Sequence, residues 1–93
     1  MAVTVRIPSP LRRITGGAAR VNATGSTVRE ALDSLVAAYP ELGERVYDEQ
    51  AQLRRFVNLF VGEEDIRFLD GLDTPLSDGA ELSIVPAVAG GAR

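Results

Sequence analysis

The chemistry in this sequence sits at its end, "PAVAGGAR", where Gly90 and Gly91 follow a candidate core strand after only Val88 and Ala89. A glycine pair presents no side-chain obstacle to another protein approaching its carbonyl carbon. The small residues before it let an extended chain enter a narrow channel. A carboxylate at the tip of such an arm can be adenylated by ATP, which gives a mixed anhydride open to attack by sulfur. A glycine pair alone also describes an inert, tolerant chain end. The sequence therefore establishes an accessible arm and leaves its cargo open. Ala92 and Arg93 stand beyond the pair. While they remain, Gly91 has no free carboxylate, so the reading requires a pro-form from which the dipeptide is removed.

The rest of the chain offers little competing chemistry. Its 93 residues contain no Cys, no His and no Lys. That removes thiol nucleophiles and thiolate metal sites, the commonest general base and Schiff-base lysines. No nucleophile–base pair and no metal set is visible, so the chain is not read as an enzyme and no bound cofactor or metal is expected. A formal charge of −3 argues against nucleic acid as the main partner. The run Glu63-Glu64-Asp65 is read as a solvated turn. No stretch approaches the roughly 18 apolar residues of a membrane span, and "MAVTVRIPSP" lacks a basic region followed by an apolar run. A cytoplasmic location is the resulting expectation.

The elements that must carry the arm follow from hydrophobic spacing. "VTVRI" (3–7) alternates as a half-buried strand, with Val3, Val5 and Ile7 on one face. "AARVNAT" (18–24) alternates again, and the two form an antiparallel hairpin across a long loop marked by Gly16-Gly17. Thr27 and Glu30 form a capping box. Val28, Ala31, Leu32, Leu35 and Val36 then make one helical stripe that ends at Tyr39-Pro40. Residues 41–50 are polar, with room for a short helical turn. Strands are expected at 54–61 and 80–88, with a short one at 65–69 and a loop over 70–79. The expected architecture is α+β: a mixed sheet of four to five strands under one main helix, the β-grasp or ubiquitin-like arrangement. The last strand is expected beside the first at mid-sheet. Residues 1–89 form the domain and 90–93 a flexible arm.

Three segments carry a family resemblance: "TVREALDSL" (27–35), "RFVNLFVGEEDIRF" (55–68) and above all "DGAELSIVPAVAGG" (78–91). Through them the chain resembles the MoaD/ThiS family of sulfur carriers, and within it the CysO branch. The resemblance implies that a ubiquitin-activating-type enzyme adenylates Gly91 with ATP and that sulfur replaces AMP to give a thiocarboxylate. It further implies transfer to an activated serine on a pyridoxal-phosphate cysteine synthase, and release of the product by a JAMM-type zinc peptidase. That peptidase class is also the candidate for removing Ala92 and Arg93. Two neighbouring functions remain open: the small subunit of molybdopterin synthase and a ubiquitin-like protein modifier. A plain interaction domain with an inert tail is the alternative outside this chemistry.

Strand parity gives a candidate docking face. If Phe56 and Phe60 point into the core, Val57, Leu59 and Val61 point out; the reversed parity would make these three core residues. With Leu82 and Ile84 facing inward, Val85 faces out. Leu59, Val61 and Val85 are then expected to form an exposed apolar patch beside the root of the arm.

Overall fold

The structure is a computed structural model that describes residues 2–50 and 52–86. The arm residues Gly90, Gly91, Ala92 and Arg93, the 89/90 domain boundary and the expected end of the last strand at 87–88 lie outside the described residues.

Alternation in the first two runs produces the hairpin of β1 (Ala2–Arg6) and β2 (Arg20–Thr24), paired antiparallel with Val3 opposite Ala23 and Val5 opposite Val21. The amphipathic stripe becomes α1 (Val28–Ala38), followed directly by α2 (Pro40–Val46). β3 (Val57–Val61), the two-residue β4 (Glu64–Asp65) and β5 (Glu81–Pro86) complete a five-stranded sheet of order β2-β1-β5-β3-β4. β5 runs parallel to β1 and antiparallel to β3. A parallel pair needs a long crossover; here that connection contains α1, whose Val28, Ala31, Leu32 and Leu35 are buried. Val3, Val5, Leu82 and Ile84 supply the opposing sheet face of the core. This is the β-grasp arrangement, with the last strand beside the first at mid-sheet.

Four local differences from the sequence reading have identifiable causes. α2 is a true helix, because Pro40 at its first position suits a helix start and Leu42 and Val46, four apart, are both fully buried. β3 begins at Val57, since Arg54–Phe56 form a turn closed by Val57 N–H donating to the Arg54 carbonyl at 3.0 Å. The expected strand at 65–69 is pairing only through Asp65. Its carboxylate then accepts from the Arg67 N–H at 2.9 Å and starts a 3-10 turn at Ile66–Phe68. The loop at 70–79 holds another 3-10 turn, Gly71–Asp73. Among the described residues no helix is long and apolar enough to cross a membrane.

The capping box is half standard. Thr27 Oγ1 accepts from Glu30 N–H at 3.2 Å, but Glu30 Oε1 reaches past Thr27 to the backbone N–H and hydroxyl of Ser26, at 2.8 and 2.9 Å. Gly25 allows this close approach of β2's end to α1. Its φ is +157°, and a Cβ there would lie 2.6 Å from the Ala31 backbone nitrogen. Backbone cannot yield as a flexible side chain can. Gly25→Ala is therefore expected to destabilise the fold by about 1–3 kcal/mol, the range of overpacked sites, read as a lower denaturant midpoint with unchanged slope.

Candidate functional site

β5 positions whatever follows it. Its partner β3 stays in register through Val57 opposite Pro86, while pairing with β1 ends at Arg6 opposite Ser83. The last part of β5 thus loses its β1 neighbour, and Pro86 ends it at the centre of one end of the sheet. The β1–β2 loop lies against this end. It opens with a 3-10 turn at Ser9–Leu11 and is tied by Gly17 N–H to the Arg12 carbonyl at 2.7 Å and Ile7 N–H to the Ala19 carbonyl at 2.8 Å. Buried Thr15 places its hydroxyl against the carbonyls of Arg12 and Ala18, at 3.1 and 2.9 Å. Arg12 Nε donates back to the Ile7 carbonyl at 3.0 Å. The loop is thereby held as a unit that presents Arg12 beside β5.

The docking patch expected from parity is corrected. Leu59 is fully buried and pairs with Ile84, whereas Phe56 is exposed. Val61 pairs with buried Leu82 and packs against the core, so it too belongs to the inner face. Val85 alone of the three keeps its exposed position, with 41% of its surface accessible. The outer face of β3 carries Asn58, opposite Val85, and the partly exposed Phe60, opposite Ser83. Phe60 and Val85 are diagonal neighbours on one face, a geometry within reach of an aromatic ring. The signal was present in the sequence. One parity of β3 is Val57, Leu59, Val61; the other interrupts its phenylalanines with Asn58. An amide in the core needs hydrogen-bond partners, which favours burying the uninterrupted set.

The acidic run does local structural work at Asp65, whose side chain is 8% exposed. Arg67 Nη2 donates to Oδ2 at 2.7 Å and Nε lies 3.2 Å from both carboxylate oxygens. These side-chain bonds, then the Arg67 backbone N–H, hold the Asp65 carboxyl below its ordinary value. A depressed carboxylate contributes stability above its unfolded pKa, and that contribution is lost as pH falls through the folded value. The protein is expected to lose stability below about pH 4, the ordinary aspartate range. Asp65→Asn is expected to lower stability at neutral pH and flatten that acid limb, as measured by urea unfolding across pH. Among the described residues no cluster of His, Cys, Asp and Glu is arranged to hold a metal ion.

The model of the ThiS family matches residues 5–91. The sulfur carrier protein CysO of Mycobacterium tuberculosis is 46% identical over 93 residues, covering 98% of this chain and 100% of that protein. Among solved structures, a chain of the Amycolatopsis orientalis BexX/CysO complex is 44% identical with a TM-score of 0.87, covering 95% of this chain and 98% of its own length. The small archaeal modifier protein 1 of Methanosarcina acetivorans is 32% identical with a TM-score of 0.84, covering 96% of this chain and 95% of that one. A match across 5–91 takes in the end of β1, strands β2 to β5, both helices and the glycine pair, and by that match the chain belongs to the ThiS family.

Proposed function

We propose that this chain is a sulfur carrier whose working group is the carboxylate of Gly91, exposed by removal of Ala92 and Arg93. The carboxylate attacks the α-phosphorus of ATP in a ubiquitin-activating-type enzyme and releases pyrophosphate. A sulfur nucleophile then attacks the acyl carbon. The carbon–oxygen bond to AMP breaks, a carbon–sulfur bond forms, and Gly91 ends as a thiocarboxylate. The carrier has no catalytic set of its own; it is the substrate of the enzymes that load and unload it. Its sulfur goes to cysteine or a related metabolite through a pyridoxal-phosphate synthase that holds an activated serine, with a JAMM-type zinc peptidase freeing the product. That peptidase class also trims the pro-form.

The observation that carries this reading is the full-length identity to a sulfur carrier, together with the exit of the chain from mid-sheet after Pro86. Phe60 and Val85 form the apolar docking face beside that exit. A related CysO was crystallised in complex with BexX, which supports a carrier that works by docking to a partner protein. A second reading, a ubiquitin-like modifier that forms isopeptide bonds through Gly91, draws support from the archaeal modifier protein of similar structure. Intact mass of the protein isolated from its own cells separates them. A species ending at Gly91 with one oxygen replaced by sulfur is the expected result. Gly91 found only in amide linkage to other proteins would establish the modifier, and an unaltered Arg93 terminus throughout would overturn both.

A further inference from the structure

The end of β5 borders a notch in the sheet. β1 turns away after Arg6 while β5 continues to Pro86, and a cavity of about 320 Å³ opens between them, lined by Arg6, Pro8, Arg12, Ser83, Val85 and Pro86 among others. Its chemistry is one-sided. Guanidinium groups are donors only, and no carboxylate lines the cavity. Pro8 and Pro86 lack an N–H, so the free edge of β5 is a poor template for an added strand. Arg12 is oriented through Nε by the Ile7 carbonyl, which leaves its terminal nitrogens for a ligand. Arg13, Arg20, Arg29 and Arg67 each face a carboxylate; Arg6 and Arg12 pair with none among the described residues. Arg45, Arg54 and Arg55 are likewise without an ion pair among the described residues, but none of them lines this cavity; Arg6 and Arg12 are set apart by lining it together.

We infer that this notch seats a carboxylate side chain of the enzyme that takes up the C-terminal glycine. The inference rests on the carrier reading for the identity of that enzyme, but the seat's preference for a carboxylate rests on the notch alone. Its place gives it a function. The last residues of β5 form its wall, so any enzyme that receives the arm must pass it. Gly91 is the fifth residue after Pro86, and an extended chain spans about 3.3–3.6 Å per residue. A carboxylate locked between Arg6 and Arg12 therefore sets how deep the glycine reaches into the channel. Guanidinium–carboxylate pairs are directional and bidentate, which suits them to setting a register.

Two measurements test this. In the first, the 15N-labelled chain ending at Gly91 is titrated with the blocked peptide Gly-Glu-Glu-Gly. Shifts concentrated at the Nε–H of Arg6 and Arg12 and the amides of Ser83 and Val85, and absent in Arg6→Glu, are expected. Shifts spread equally over Arg45, Arg54 and Arg55 would overturn the seat. So would Arg12 signals that already differ between chains ending at Gly91 and at Pro86 and do not respond to peptide, because the chain's own terminus would then be the occupant. In the second, ATP–pyrophosphate exchange is followed with the adenylating enzyme of the same genome. Arg6→Glu/Arg12→Glu is expected to raise KM for the carrier about tenfold or more with kcat little changed, as loss of a charged contact does. The single Arg6→Glu, which leaves the loop's internal bonds intact, should shift KM in the same direction. Arg45→Glu/Arg55→Glu, with the same change in net charge, should leave it near wild type; equal loss in that control would overturn the assignment. If wild type supports no exchange while the titration is localised, the carrier reading falls and the carboxylate seat is upheld.

Discussion

The chain ending at Arg93 will support no ATP–pyrophosphate exchange above background with its adenylating enzyme, and the same chain ending at Gly91 will support it. The reason is covalent. In the 93-residue form the Gly91 carbonyl is part of an amide to Ala92, and an amide carbonyl is not the carboxylate nucleophile that attacks ATP. On the proposed reading the Arg93 carboxylate is no substitute, since Arg carries the largest side chain of the arm and glycine carries none. Incubation of the 93-residue form with a JAMM-type zinc peptidase should restore exchange, with loss of the Ala-Arg dipeptide as the only mass change. Exchange by the untrimmed chain at the rate of the trimmed one would sink the pro-form reading. Failure of both forms would sink adenylation itself.

Leu59→Ala and Val85→Asp should have opposite effects, although the two residues lie on adjacent strands. Leu59 is fully buried at the centre of the sheet, opposite Ile84. Removing its isobutyl group forfeits transfer free energy and leaves a cavity between sheet and helix, together costing about 3–4 kcal/mol. That is a large part of the roughly 5–15 kcal/mol by which a domain is stable, so Leu59→Ala should shift the unfolding midpoint strongly or leave the protein partly unfolded. Val85 stands on the outer face, and an exposed substitution away from caps and cores changes stability by about 0.5 kcal/mol or less. Val85→Asp should fold normally yet bind the adenylating enzyme at least about tenfold more weakly, because it puts a charge into an apolar contact that must be desolvated. Phe60→Asp should behave like Val85→Asp in binding. Full partner affinity in both aspartate variants would remove the outer sheet face from the docking surface.

Much of this molecule was legible one element at a time. The hairpin, α1 and the last strand declare themselves through period-two and period-3.6 patterns, and Thr27 marks the helix start it caps. The Gly90-Gly91 pair and the residues beyond it are read from sequence alone, since covalent order decides whether Gly91 has a free carboxylate. Period-two alternation also placed Leu82 and Ile84 inside, because Ser83 between them is polar. In β3 the apolar residues occupy both parities, so alternation alone does not choose the buried face, and only the amide of Asn58 favours one set over the other. There the tertiary structure chose: pairing with β5 sets Leu59 beside Ile84 and Val61 beside Leu82, and it turns Phe60 outward. α2 likewise depended on burial, since seven residues are too few to be helical alone and Leu42 and Val46 gain their stability only against the core. The notch at Arg6 and Arg12 has no sequence signature at all. It exists because β5 outruns β1 by three residues and a loop bound to its own carbonyls returns Arg12 to the gap. Sequence order determines which groups the chain owns and where its reactive end lies; only the pairing of distant strands, which is set by total burial and not by local pattern, decides which of those groups meet.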